Sequence, residues 1–310
     1  MFSTLAIVLP IFALVLAGYL CRRSGVLGPQ ASSELNRFVV YLALPALLFD
    51  VMAKVHFREL YQPGFLAAIG LGTEGLFILT FSLRKRKSHA ADASIDGLNA
   101  AYANVGFIGL PLCAATLGAG SLAAATINTI FTVCILFAGA IIVIETGLQT
   151  ERSVRHTVRN VAQQLIRNPL LLGPALGILV AVTGRQLPSS IEAFVKLLGA
   201  ASTPCALVAL GLFLAEKRLD LCIGVSMQLV ALKLIVHPAL TWLLAYHVFS
   251  MPRLWAESAV LLSALPTGTG PFMLAEFYDR EASTTSAAIL FSTIGSLFSV
   301  TLYLYLLNGY

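Results

Sequence analysis

Ten runs of mostly apolar residues follow one another along the chain, over 3–21, 36–53, 63–83, 95–117, 120–144, 165–183, 190–215, 221–247, 254–275 and 284–307. A helix needs about 20 such residues to cross the hydrocarbon core of a bilayer, and each run is near that length. No water-soluble fold is open to such a chain. Of its 310 residues 58% are hydrophobic and 11% charged, with mean hydropathy +0.85, where a soluble domain carries about 25% charged residues. A soluble enzyme and a disordered chain are both excluded. The net charge of +5 does not point to nucleic acid, because the basic residues sit in short clusters between the apolar runs. No basic residue precedes the first run, and Arg22 and Arg23 follow it. That is the reverse of a secretory signal, so 3–21 is read as a retained first span. The sixth run, interrupted by Pro169 and Pro174, is the weakest.

The connecting loops set the orientation. Counting Lys and Arg on alternate sides of the ten runs gives 14 on one side and 4 on the other. The richer side includes Arg22, Arg23, Arg37, the run Arg84–Lys87, the Arg152–Arg167 segment, Lys217, Arg218 and Arg280. The positive-inside rule makes that side cytoplasmic, and both termini then face outward. The longest loop, 148–164, is expected to be a cytoplasmic linker with a short surface helix, separating a first five-helix unit (1–147) from a second (165–310).

The two units echo each other. Pro45 in span 2 recurs as Pro204 in span 7, an offset of 159, and Pro111 in span 4 as Pro271 in span 9, an offset of 160. Five is odd, so the second unit enters the membrane upside down. An inverted repeat of this kind is an arrangement of secondary transporters.

Spans 4 and 9 carry the strongest local signal, in "NVGFIGLP" (Asn104 to Pro111) and "LPTGTGP" (Leu265 to Pro271). Glycine weakens a helix, and proline removes a donor and clashes with the preceding turn. Both spans are therefore expected to unwind near mid-membrane, with Pro111 and Pro271 each opening a restarted half-helix. Freed backbone must line a protein-enclosed or watered cavity, and half-helix N-termini aim N–H groups and partial positive charge into it. An anion such as a carboxylate fits that environment. Candidate substrate contacts are Asn104, Gly106, Gly109, Pro111, Thr267, Gly268, Thr269, Gly270 and Pro271.

Two charges lie deep in spans, Glu74 in span 3 and Lys233 in span 8, again 159 apart. Charges at that depth face the protein interior and find partners. In one reading Glu74 is a proton or cation site, or Lys233 is a counter-charge for an anionic substrate; in the other the two form a structural ion pair that fixes helix packing. His237, one turn after Lys233, and Asn128 in span 5 are further candidates for ion coupling. Ser292, Thr293 and Ser296 in span 10 either line the cavity or pack between helices. Five cysteines show no CxxC or Cys/His spacing, so neither a metal site nor a disulfide framework is expected. HExxH, GxSxG and paired aspartate motifs are also missing, so the chain is not read as an enzyme.

The segments "LPIFALVLAGYLCRRSGVL", "NRFVVYLALPALLFDVMA", "YANVGFIGLPL" and "LPTGTGPFMLAEFY" resemble the auxin efflux carrier family, in its bacterial branch of malonate and organic-acid permeases. The likeness runs through nearly the whole chain. It implies an all-α membrane fold of ten transmembrane helices in two inverted five-helix repeats, similar to bile acid/sodium symporters and sodium/proton antiporters. In that fold spans 1, 2, 6 and 7 form a scaffold. Spans 3–5 and 8–10 form a transport core in which broken spans 4 and 9 cross at the substrate site. The resemblance thus gives Asn104 and the stretches around Pro111 and Pro271 a substrate-contacting role, and puts Glu74 where related carriers keep an acidic residue near an ion site. The long central loop of the plant members is missing here.

Together these readings predict a bacterial inner-membrane transporter of small organic anions, mono- or dicarboxylates, working by alternating access. A proton or sodium ion is the expected coupling ion, and no other cofactor is expected. Expected partners are the anion and membrane lipid, with a homodimer compatible and no nucleic acid. A passive anion channel and a transporter-like sensor are the alternatives.

Overall fold

A computed structural model describes residues 2–54, 62–148, 159, 163, 166–167, 169–183, 187–216 and 223–307. Most of the expected linker, with its surface helix, and Cys222 lie outside the described residues. The elements are α1 (Phe2–Arg23), α2 (Ala31–Lys54), α3 (Pro63–Lys85), α4 (Ala90–Ala101), α5 (Val105–Leu117) and α6 (Ser121–Leu148). There follow α7 (Pro169–Thr183), α8 (Ser189–Ala215), α9 (Ile223–Val248), α10 (Arg253–Ser263), α11 (Gly270–Phe277) and α12 (Ala282–Leu307). Each predicted apolar run coincides with one helix, except that the fourth is divided into α4 and α5 and the ninth into α10 and α11. Six of the described helices, α2, α3, α6, α8, α9 and α12, are long and apolar enough to cross a membrane. Large apolar side chains such as Leu71, Ile78, Leu197, Phe298 and Leu302 stand exposed on the outside of the bundle, where a protein in water would carry charge.

Small residues bring four of the helices into backbone contact. Gly18 on α1 lies against the carbonyl of Val208 on α8, and Gly211 on α8 against the carbonyl of Val15 on α1. Gly173 and Gly177 on α7 lie against the carbonyls of Pro45 and Phe49 on α2. A Cβ at any of these positions would meet the facing backbone, and such close approach supplies much of the packing energy between helices in lipid. The pairings α1 with α8 and α7 with α2 dominate one side of the molecule. On the other side α3 packs along α4, α6 along α4, and α9 against α12 and α10.

Several helices contain a widened turn. Such turns span Val39–Ala43, Val105–Gly109, Thr132–Phe137, Leu232–Val236 and Leu243–Val248. Three of them end two residues before a proline, at Pro45, Pro111 and Pro238. A proline within a helix leaves one carbonyl unbonded and crowds the turn before it. One extra residue in that turn relieves both, so these helices continue through their prolines.

Candidate functional site

The divided helices meet inside the bundle. α4 ends at Ala101, and residues 102–104 run extended before α5. α10 ends at Ser263, and residues 264–269 lead into α11. The two openings are joined by an antiparallel bridge between Ala103 and Thr267. Its backbone bonds are Asn104 N–H to Pro266 O at 2.9 Å and Gly268 N–H to Tyr102 O at 3.0 Å. Thr267 braces the crossing from behind: its hydroxyl donates to Asn99 O at 2.8 Å and its amide to Ser292 Oγ at 3.0 Å. Asn99 in turn donates through Nδ2 to Thr285 Oγ1 at 2.9 Å, so α4, α10–α11 and α12 are tied together.

The opening in span 4 lies earlier than expected. Residues 105–111 are helical, and Pro111 is inside α5 rather than at its start, because the widened turn at Val105–Gly109 accommodates it. Pro271 is the second residue of α11, close to the position expected.

A cavity of about 180 Å³ lies against the crossing. Its polar lining comes from Asn36, Tyr102, Asn104, Thr129, Thr132 and Thr269, together with the backbone of Gly106 and Gly270. Apolar walls come from Val40, Leu44, Phe107, Val133, Phe137 and Met273. Among the described residues no Lys, Arg, His, Asp or Glu lines it. Asn104 is 5% exposed, and its Nδ2 is buried without a hydrogen-bond partner among the described residues. The amides of Gly106 and Phe107 at the start of α5, and of Thr269 and Gly270 at the start of α11, likewise find no acceptor among the described residues. The first amides of a helix have no partner within it. Two helix N-termini and one carboxamide thus aim unpaired N–H groups at one space, an arrangement suited to a carboxylate. The two glycines of "TGTG" have a steric reason: a Cβ at Gly268 or Gly270 would strike the ring of Tyr102.

Of the predicted substrate contacts, Asn104, Gly106, Thr269 and Gly270 line the cavity, and the others do not. Gly109 packs on Leu265 and Leu262, Gly268 pairs with Tyr102, and Thr267 faces Asn99 and Ser292. Pro111 and Pro271 shape the half-helices without reaching the cavity. Asn36, Tyr102, Thr129 and Thr132 also line the cavity but were not singled out from sequence: Asn36, Thr129 and Thr132 lie on helices with no signal of which face they occupy, and Tyr102 lies in the extended segment between α4 and α5.

Lys233, expected either as a counter-charge for substrate or as half of an ion pair, is not among the residues lining this cavity. It is wholly buried, and its Nζ donates to Ser263 O at 2.6 Å and lies 3.0 Å from His237 Nδ1. His237 Nε2 lies 3.3 Å from Thr73 Oγ1. Lys233 lies within the widened turn Leu232–Val236 and reaches the end of α10. Among the described residues no ion pair joins Glu74 to Lys233, and Glu74 Oε1 is enclosed without a partner. Asn128 stands one turn behind the cavity wall, where its Oδ1 accepts from Thr132 at 3.4 Å. Ser292 braces the crossing, while Thr293 and Ser296 bond to carbonyls of their own helix.

Comparison with known proteins bears on this geometry. A family model described as "Membrane transport protein" matches residues 4–304. A protein of Rhizobium meliloti (strain 1021) named "Putative malonate transporter" is 31% identical over 98% of this chain and 95% of its own. An uncharacterized transporter of Methanocaldococcus jannaschii is 26% identical over 96% of each chain. Auxin efflux carrier component 8 of Arabidopsis thaliana is 30% identical over 47% of this chain and 41% of its own.

Proposed function

Because the chain belongs to the membrane transport protein family, that of the auxin efflux carriers, we propose that this multi-pass membrane protein is a secondary transporter of small organic anions in the bacterial inner membrane. The observation that carries the reading is the cavity at the crossing, with Asn104 Nδ2 and the amides of Gly106, Phe107, Thr269 and Gly270 around it finding no partner among the described residues. These neutral donors suit one carboxylate, and the apolar walls suit the rest of a small acid. The name of the Rhizobium relative makes malonate the first substrate to try.

Ten spans in two inverted repeats, 1–147 and 165–310, underlie the mechanism. The contacts of Gly18 with Val208 and of Gly177 with Phe49 support the repeat, since both partners shift by 159 and exchange units. The pairs α1–α8 and α2–α7 are the scaffold, and the remaining helices are a core that moves against it. Asn36, Val40 and Leu44 belong to α2 and the rest of the cavity lining to the core, so movement at this boundary opens and closes the site. Asn36, Phe137 and Met273 of the lining stand on the halves of their spans nearer the Arg- and Lys-rich loops, which supports an inward-facing state with both termini outside. A proton or sodium gradient drives the cycle.

The test is uptake of labelled malonate and a panel of mono- and dicarboxylates into proteoliposomes, with imposed proton and sodium gradients. Saturable uptake that responds to one gradient is expected. Asn104→Ala removes a hydrogen bond to a charged group, which is worth about 1.5–3 kcal/mol, and should raise the half-saturating concentration at least about tenfold. Unsaturable uptake indifferent to gradients would instead mark a passive channel. Unchanged apparent affinity in Asn104→Ala would remove Asn104 from the site.

A further inference from the structure

Ser263 is the last residue of α10, and its carbonyl faces the protein interior where that helix stops. A helix C-terminus carries partial negative charge and carbonyls without intrahelical donors. The matching end of α4 is satisfied by neutral groups: Leu98 O accepts from Tyr102 N–H, Asn99 O from the Thr267 hydroxyl, and Tyr102 O from Gly268 N–H. The end of α10 is treated differently, because Ser263 O receives the Lys233 ammonium at 2.6 Å.

That ammonium is 0% exposed and has no carboxylate within 4.0 Å among the described residues. A buried cation without a counter-ion is costly, so what surrounds it must compensate. Two groups do so, the carbonyl end of α10 and the imidazole of His237. With Lys233 protonated, His237 Nδ1, 3.0 Å away, must accept from it, which puts the imidazole proton on Nε2, 3.3 Å from Thr73 Oγ1. The imidazole is therefore neutral beside the ammonium, and α9, α10 and α3 are joined through one positive charge.

We propose that Lys233 is a tethered cation: its ammonium fills the carbonyl end of the divided helix α10, where a free sodium ion would otherwise bind, so that this carrier works without sodium at that position. The inference deepens the transporter reading, leaving the proton as the coupling ion, and it assigns Lys233 and His237 to positioning rather than to substrate contact.

The test compares native protein with Lys233→Ala, which opens a space, and Lys233→Met, which keeps the volume without the charge. Melting temperature in detergent is measured in sodium, choline and methylammonium chloride at equal ionic strength. Native protein should melt at the same temperature in sodium and choline. Lys233→Ala should melt several degrees lower in choline and recover in methylammonium or sodium, whereas Lys233→Met should be lowered and recover in neither. A sodium-specific rise in native protein, or a Lys233→Ala variant no more responsive than Lys233→Met, overturns the proposal. If Lys233→Ala cannot be purified, Lys233→Arg should melt above Lys233→Met; the reverse order overturns the proposal. In proteoliposomes, malonate uptake should be equal in sodium and choline for native protein and sodium-dependent for Lys233→Ala. Absence of native uptake would count against the transport reading alone, since the melting measurements need no substrate.

Discussion

Asn104 and Arg84 show how far single residues could be read. Asn104 is a polar residue beside helix-weakening ones, and that contrast alone marks it as a cavity contact. Its neutral carboxamide also suits an anion, so Asn104→Asp should abolish uptake of every carboxylate substrate by placing like charge against it, while leaving the melting temperature near that of native protein. Arg84 reads in sequence as one more member of a cytoplasmic basic run. In the fold it donates through Nε to Asp96 at 2.6 Å, joining α3 to α4, with Asp96 wholly buried and Arg84 20% exposed. Removing one partner of such a pair leaves a charge without compensation, typically at a cost of about 3–5 kcal/mol. Arg84→Ala should therefore lower thermal stability markedly, and Arg86→Ala, at an exposed position, should change it little. Equal melting temperatures for the two variants would show that the pair contributes nothing. Nothing in the spacing of Arg84 and Asp96 distinguishes that partnership from the topological role of the basic run.

Among the elements, apolar length was enough to locate the helices, because lipid leaves backbone no partner but its own helix. The position of the breaks was less accessible. Glycine and proline density pointed to 104–111, yet the chain opens at 102–104, since the widened turn at Val105–Gly109 absorbs the missing donor of Pro111. What holds the opening is the cross-chain pairing of 102–104 with 266–268, a long-range contact that local composition does not report. The close helix pairs give a sharper expectation. Gly18→Ala sets a methyl against the Val208 carbonyl, and overpacking of this kind costs about 1–3 kcal/mol. Gly139→Ala meets nothing within 4 Å inside α6 and should be neutral or stabilising by about 0.5–1 kcal/mol. Thermal unfolding of both variants in detergent checks the contrast.

For the whole molecule, the offset of 159 between Pro45 and Pro204 is the basis for proposing two related units, and Gly18 and Gly177 stand at the same offset against Val208 and Phe49. Which helices become neighbours was not legible from the chain itself, because lipid-facing and protein-facing apolar residues look alike when lipid is the solvent. The proposed movement of core against scaffold predicts that the cavity changes width during each cycle. A protein carrying Asn36→Cys on α2 and Met273→Cys on α11, in a background without its native cysteines, should lose uptake when a bifunctional thiol reagent bridges the cavity. Uptake should return when a cleavable bridge is reduced. Undiminished uptake across a complete bridge would rule out relative movement of those walls. The bridge between Ala103 and Thr267 carries a further consequence. Its stitching is main chain to main chain, so side groups of the cavity wall can change without undoing the seam, provided Gly268, Gly270 and the bracing Thr267 and Ser292 are kept. A descendant could acquire a new cargo by altering Thr129, Thr132 or Phe137 on α6, leaving the knot at the centre as it was.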